Sequence, residues 1–168
     1  MNTLKIGIIS DTHDHIENVK KAVKIFNEQK VSYCFHAGDI ISPFMAPLAF
    51  KGLKSKLYLV FGNNDGEIIF LKEKFAEIGA EIKNNQFSIE LESKKIVLFH
   101  TLESEILDAV VQSNKFAVVI SGHTHEALVK KINKTIVINP GEACGYLTGK
   151  ATAGIIDLEK MEAEIIEL

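Results

Sequence analysis

The sequence predicts an α/β protein in which two mixed β-sheets pack face to face between outer helices, a four-layer α-β-β-α sandwich. Apolar strands alternate with helices in the first half of the 168-residue chain, which implies parallel strands joined by right-handed crossovers. Hairpins dominate the second half, which implies a second, mixed or antiparallel sheet. A chain of this length fills one core well and is too short for two ordinary domains. Residues 1–168 are therefore expected to form a single domain.

The first half contains three predicted strands, at residues 4–9, 31–37 and 57–61. The helix after the first strand is indicated by apolar residues at helical spacing, namely Ile16, Val19, Val23 and Phe26. A shorter helix is expected at residues 44–50, started by Pro43, where a missing N–H does no harm. Residues 67–78 form the third predicted helix.

The second half begins with a strand of alternating apolar and polar residues at 87–91, followed by an apolar strand at 96–99. A helix is predicted at residues 102–111 and a buried strand at 116–120. Two hairpins complete the chain, the first pairing residues 127–132 with 135–138 and the second pairing 154–157 with 163–166.

The composition excludes several classes of protein. A net charge of −3 without a basic stripe gives no reason to expect nucleic acid as an obligatory partner. The longest apolar stretches are strand-sized, and the N-terminus lacks the apolar core of a secretory signal, so no membrane partner and a cytoplasmic location are expected. Cys34 and Cys144 lack metal-binding or redox spacing and are expected to be buried thiols. The sequence does not decide between a monomer and a homo-oligomer.

Candidate metal ligands follow five of the predicted strands directly: Asp11 and His13, Asp39, Asn63, His100, and finally His123 and His125. Charged and imidazole groups at the end of a buried strand are costly unless something compensates them, and a bound cation uses both types together. Loops at the carboxyl ends of strands collect at one edge of an α/β sheet, so the seven side chains should meet there.

The mixture of carboxylate oxygen and imidazole nitrogen suits first-row transition metals better than calcium. Seven ligands are too many for one ion but suffice for two ions that share a carboxylate. Two divalent transition-metal ions are therefore expected, with manganese or nickel preferred and iron or zinc as alternatives.

The order of motifs D-x-H, G-D, G-N-N-D, a lone H and G-H-T-H resembles the calcineurin-like metallophosphoesterase superfamily, specifically its small single-domain phosphodiesterases of bacteria and archaea. The resemblance extends to Asn139-Pro140-Gly141 near the end of the chain. It implies that one ion is held by Asp11, His13 and His125, the other by Asn63, His100 and His123, and that Asp39 bridges them. It also implies the metallophosphoesterase fold.

The implied activity is hydrolysis of small-molecule phosphodiesters by a hydroxide that bridges two ions about 3.5–4 Å apart. Two differences from the family concern catalysis. Asn64 stands where many members have a His that contacts the phosphate and can protonate the leaving group. Asn can donate a hydrogen bond but cannot transfer a proton, so esters with good leaving groups should be preferred. Close relatives often read H-G-H where this chain reads His100-Thr101-Leu102, so a second imidazole on the phosphate side is absent.

Some residues have an alternative explanation. His123 and His125 could be surface or capping histidines, and Asn63 alone would be a turn residue beside Gly62. His15 is expected to start a helix and His36 to lie within a strand; the alternatives are that His15 lies near the substrate and that His36 orients Asp39. Asp14 and Asp65 are expected to cap or brace their loops. Glu142 is either at the edge of the site or solvated. The competing hypothesis for the whole chain is a non-catalytic scaffold of the same fold, as in the retromer scaffold subunit.

Overall fold

The computed structural model describes residues 3–168, which form eleven strands, three α-helices and one short π-helix. The strands are β1 (Lys5–Ile9), β2 (Tyr33–His36), β3 (Lys56–Val60), β4 (Glu81–Lys83), β5 (Gln86–Leu91), β6 (Lys94–Phe99), β7 (Val118–Ile120), β8 (Ala127–Ile132), β9 (Thr135–Pro140), β10 (Thr152–Asp157) and β11 (Glu162–Glu167). The helices are α1 (Ile16–Glu28), the π-helix (Ala46–Phe50), α2 (Ile68–Glu77) and α3 (Ser104–Gln112).

The first sheet has six strands in the order β11-β10-β1-β2-β3-β4. Strands β1 to β4 run parallel, each joined to the next by a crossover, while β10 and β11 pair antiparallel at the other side. The second sheet has the order β5-β6-β7-β9-β8, with β6, β7 and β9 parallel and an antiparallel strand at each edge. Strands β1 to β3 and β6 to β7 therefore each end on a loop that can carry ligands.

Three apolar cores separate four layers. In β1, Ile6 and Ile8 face the second sheet, whereas Ile9 joins the cluster beneath α1 and the π-helix, because successive side chains of a strand point to opposite faces. The core between the sheets also receives Leu98 and Ile138 from the second sheet. A third, smaller cluster lies between the second sheet and α3. The predicted sandwich is thus confirmed.

The structure differs from the predicted elements in three places. Strand β4 was not predicted, because its three residues are mostly polar and lie at a sheet edge. The helix predicted at 44–50 is a π-helix that begins at Ala46, and the proline near its start is Pro47 rather than Pro43. The last hairpin, β10–β11, joins the first sheet beside β1 instead of the second sheet, where it covers the edge that β1 would otherwise expose.

Cys34 and Cys144 are free and buried, as expected. None of the helices within residues 3–168 has the length and apolar character that a membrane crossing requires.

Candidate metal centre

The structure brings the predicted ligands together in two adjoining groups around Asp39. In the first group, Asp11, His13, Asp39 and His125 each offer one ligand atom, and these atoms lie within 4.8 Å of one another. His13 Nε2 is 3.5 Å from Asp39 Oδ2, and His125 Nε2 is 3.4 Å from Asp11 Oδ1. The His13 and His125 rings are stacked with their centroids 5.3 Å apart.

In the second group, His100 Nε2 lies 2.9 Å from Asn63 Oδ1 and 3.5 Å from Asp39 Oδ2. The ring of His123 meets that of His100 edge-on, with centroids 5.1 Å apart. His100 Nδ1 donates to the carbonyl oxygen of Ala37 at 2.7 Å, which leaves Nε2 to face the site. Asp39 Oδ2 is therefore shared by both groups, as a bridging ligand would be.

Two buried atoms of the first group have no hydrogen-bond partner within residues 3–168. These atoms are Asp11 Oδ1 and His13 Nε2. Asp11 is fully buried, so an unpartnered carboxylate oxygen there costs about 1–3 kcal/mol or more. A cation would supply the missing partner to both atoms, and the donor set of oxygen and nitrogen fits a divalent transition-metal ion.

The backbone is strained at five of the seven candidate ligands. The φ angles are 50° at Asp11, 37° at His13, 59° at Asp39, 70° at His123 and 62° at His125. Non-glycine residues rarely adopt positive φ, and each instance costs on the order of 1–3 kcal/mol. Such strain is characteristic of functional loops, where the surrounding fold fixes a conformation that the isolated chain would avoid.

Two glycines let the backbone approach the carboxylates closely. A Cβ atom on Gly62 would overlap Asp39 Oδ1, and one on Gly122 would overlap Ser10 Oγ and lie 2.8 Å from Asp11 Oδ2. The glycines of the G-N-N-D and G-H-T-H motifs are therefore required by the space around the ligands.

Hydrogen bonds orient both carboxylates. Asn64 donates from its backbone N to Asp39 Oδ1 at 2.9 Å and from Nδ2 to Asp39 Oδ2 at 2.7 Å. Burial opposes ionisation of Asp39, but these hydrogen bonds and the nearby His100 lower its pKa below the usual value. Asp11 Oδ2 accepts from Ser10 Oγ at 2.5 Å and from His123 N at 3.1 Å, which leaves Oδ1 facing the site. Burial raises the pKa of Asp11.

Glu142, for which the sequence allowed two positions, lies behind His125 in the structure. Its fully buried carboxylate accepts from His125 Nδ1 at 2.7 Å, from Thr148 N at 2.6 Å and from Leu147 N at 2.9 Å. Burial opposes ionisation, yet these hydrogen bonds lower the pKa of Glu142 to about 2. The carboxylate thus holds the proton of His125 on Nδ1 and leaves Nε2 free for a metal. The feature of the sequence that points to this role is the position of Glu142 directly after Asn139-Pro140-Gly141.

The bracing residues have the expected contacts. The Asp65 carboxylate accepts hydrogen bonds from four backbone N–H groups, those of Asp39, Ile40, Ile41 and Gly62, and so ties the loop after β2 to the loop after β3. Asp14 Oδ1 accepts from Ser42 N at 2.9 Å.

The two remaining histidines belong to neither group of candidate ligands. His15 is the N-cap of α1 and accepts from Asn18 N. His36 is fully buried, and burial lowers its pKa to about 3. Its Nε2 lies 3.1 Å from Thr12 Oγ1, which in turn donates to the carbonyl oxygen of Asp39. His36 therefore supports the Asp39 loop through Thr12.

The position two residues after His100 carries no imidazole, as the sequence indicated. Thr101 is exposed, and Leu102 packs against the cluster beneath α3. Leu102 is therefore partly buried against apolar residues, while Asn64 contacts Asp39 from the loop after β3.

Comparison with known proteins gives consistent results. Residues 4–161 match the calcineurin-like phosphoesterase superfamily domain. The chain is 43% identical over 166 residues to a phosphodiesterase of Methanocaldococcus jannaschii, covering 98% of this chain and 99% of the relative. The solved structure of an archaeal phosphodiesterase superposes with a TM-score of 0.92 at 42% identity, covering 98% of this chain and all of the other.

A phosphoesterase of E. coli has the same fold, with a TM-score of 0.68 at 16% identity and coverage of 97% of this chain and 98% of the other. The family match spans nearly the whole chain and includes every strand end that carries a candidate ligand. This chain therefore belongs to the calcineurin-like phosphoesterase superfamily.

Proposed function

We propose that the protein is a metal-dependent phosphodiesterase that hydrolyses small-molecule phosphodiesters at a dinuclear centre around Asp39. The observation that carries the proposal is the pair of buried, unpartnered atoms, Asp11 Oδ1 and His13 Nε2, beside a carboxylate that two groups of ligands share. The phosphodiesterase of M. jannaschii supports the substrate class, since its identity to this chain extends over nearly the full length of both proteins.

The residues divide between two ions. Asp11, His13 and His125 would hold the first, and Asn63, His100 and His123 the second, with Asp39 binding both. His125 is kept in the ligating tautomer by Glu142, and His100 by the carbonyl oxygen of Ala37. Cys144 Sγ also lies within 4.8 Å of ligand atoms of His13 and His125. It donates to Glu142 Oε2, and burial raises its pKa to about 12, so it remains a thiol. Both ions are proposed to be manganese or nickel, which suit the remaining oxygen and imidazole donors.

When bound, the ions would supply Lewis-acid chemistry, activating a water molecule and stabilising the charge that develops on the phosphoryl oxygens. The chain itself positions the phosphate and offers hydrogen-bond donors. Asn64 is exposed and already donates to Asp39, so its amide lies at the open side of the site, where it would contact the phosphate. An amide cannot transfer a proton at neutral pH. The departing oxygen must therefore leave largely as an anion, which favours substrates with acidic leaving groups.

The test is hydrolysis of bis(4-nitrophenyl) phosphate by protein loaded with Mn²⁺ or Ni²⁺. His123→Ala should abolish most of the activity, since it removes a proposed ligand. Glu126→Gln changes an exposed side chain in the same loop and should retain the activity, so it is the matched control. Failure of the metal-loaded protein to exceed the His123→Ala variant would refute the proposal and favour the non-catalytic scaffold.

A further inference from the structure

A groove lies where α1 begins, directly after the candidate ligand His13 in the chain. It is a shallow, open depression of about 510 Å³ between the start of α1, the π-helix and the loop that follows Glu142. The rings of His15 and Tyr146 pack against each other and together form an aromatic side of the groove, and Leu48 of the π-helix contributes an apolar side. Nothing in the ligand geometry described above uses these three side chains in metal binding.

Both rings are fixed to segments that adjoin the candidate ligands. Asp14 and His15 directly follow His13, and the His15 ring is held by a hydrogen bond from Asn18 N to Nδ1 at 3.2 Å. Tyr146 lies in the loop whose next two residues donate their backbone N–H groups to the Glu142 carboxylate. Since Glu142 also holds His125, the groove has a fixed position relative to the metal ligands.

Tyr146 and Leu48 are exposed to solvent, and His15 is half-buried. Tyr146 is 63% exposed and Leu48 is 53% exposed. The rings of His15 and Tyr146 pack against each other, with centroids 5.7 Å apart and planes inclined by 51°. The high exposure of Tyr146 leaves ring surface on its solvent side, on which a planar group could stack. Flat aromatic surface beside a reaction centre favours a ligand with an aromatic group at that position.

The rim of the groove is polar and carries both signs of charge. Asp14 and Glu17 provide carboxylates, and Lys20 provides an ammonium group that lies 3.1 Å from Glu17 Oε1. A hydrocarbon ring would make no use of these groups. A nucleobase has hydrogen-bond donors and acceptors along its edge and a flat face for stacking, so it matches both the rim and the aromatic side.

We propose that this groove binds the nucleobase of a phosphodiester that contains a nucleoside, with Tyr146 as the stacking residue. The proposal rests on the proposed phosphodiesterase function, in which the metal centre holds the phosphate. It adds a substrate class and a residue that determines specificity.

Two substrates with the same leaving group test the proposal. Thymidine 5′-(4-nitrophenyl phosphate) and ethyl 4-nitrophenyl phosphate differ only in the group retained on phosphorus. Tyr146→Ala should lower the ratio of kcat/KM for the thymidine ester to kcat/KM for the ethyl ester about tenfold, in line with the loss of one base–aromatic contact. Tyr146→Phe should keep the ratio. Phe70→Ala, which removes an exposed aromatic ring from α2, is the matched control and should also keep it.

A binding measurement separates this proposal from the proposed function. Saturation-transfer NMR with free thymidine requires neither phosphate nor metal. It should show transfer to the base protons with the unaltered protein and with Tyr146→Phe, but not with Tyr146→Ala. If neither ester is hydrolysed, the proposed phosphodiesterase function is refuted. The NMR result alone then determines whether the groove binds a nucleobase. The proposal would be overturned if Tyr146→Ala left the ratio of kcat/KM values unchanged, or if thymidine received equal saturation from Tyr146→Ala and from the unaltered protein. It would also be overturned if benzyl 4-nitrophenyl phosphate reacted as well as the thymidine ester.

Discussion

Replacing Glu142 by Gln should disturb the metal centre without changing a proposed ligand. The substitution keeps the shape of the side chain but replaces one carboxylate oxygen by an NH₂ group. If the NH₂ group faces His125, Nδ1 must accept a hydrogen bond and the ring proton moves to Nε2, the nitrogen that lies 3.4 Å from Asp11 Oδ1. If it faces the other way, it opposes the N–H groups of Leu147 and Thr148. Both orientations lose contacts that the carboxylate makes.

The expected effects follow from these contacts. Loss of a hydrogen bond that orients a ligating histidine typically weakens metal binding by about 10- to 100-fold. The pKa of Glu142 falls from 4.5 to about 2 on folding. At about 1.4 kcal/mol per pH unit, the ionised carboxylate stabilises the folded state by about 3 kcal/mol at pH 7. Because the folded pKa is the lower one, this stabilisation is present above pH 4.5 and disappears as the pH falls towards 2.

Urea unfolding and calorimetric titration with Mn²⁺ measure the two effects. Glu142→Gln should unfold at lower urea concentration than the unaltered protein at pH 7, and the difference should shrink below pH 4.5. Glu126→Gln removes the same charge from an exposed position one residue after His125 and should change neither quantity. Equal stability at pH 7 together with unchanged Mn²⁺ affinity in Glu142→Gln would refute the role assigned to Glu142.

Three further outcomes are expected. The buried His36 has a pKa near 3 instead of 6.5, so between these pH values the unfolded state binds more protons than the folded state. The free energy of unfolding should therefore fall by up to about 1.4 kcal/mol per pH unit as the pH drops from 6.5 to 3. His36→Gln should flatten this pH dependence, as measured by urea unfolding. Gly122→Ala should lower Tm and Mn²⁺ affinity because its Cβ would meet Ser10, whereas Gly66→Ala, with open space at its Cβ, should leave both unchanged. Asn64→His should raise kcat for phosphodiesters with poor leaving groups more than for 4-nitrophenyl esters, which comparison of the two substrate series measures.

The fold was largely predictable because its strands are short apolar runs, separated by helices in which apolar residues recur at helical spacing. The errors occurred where local sequence carries little information. Strand β4 is extended because it pairs with β3, and its own three residues do not predict that pairing. The sequence of the β10–β11 hairpin does not indicate which of the two sheets it joins. Pro43 and Pro47 are both compatible with a helix start, so the choice between them depends on how the loop after β2 packs.

The candidate ligands could be identified because each follows a strand whose carboxyl end reaches the same edge. The backbone strain at these ligands could not be predicted from the sequence, since the positive φ at Asp11 or His125 is imposed by the surrounding fold. The contact of Glu142 with His125 joins residues from two loops separated by β8 and β9, and nothing in the sequence indicates the distance between them. The groove at Tyr146 likewise arises from three distant segments of the chain.

Anomalous diffraction from crystals grown with Mn²⁺ tests the metal centre most directly. Two peaks are expected on either side of Asp39, one within coordinating distance of Asp11, His13 and His125, the other within that distance of Asn63, His100 and His123. The absence of manganese from this edge of the sheets, or a peak remote from Asp39, would contradict the dinuclear centre and the phosphodiesterase mechanism built on it.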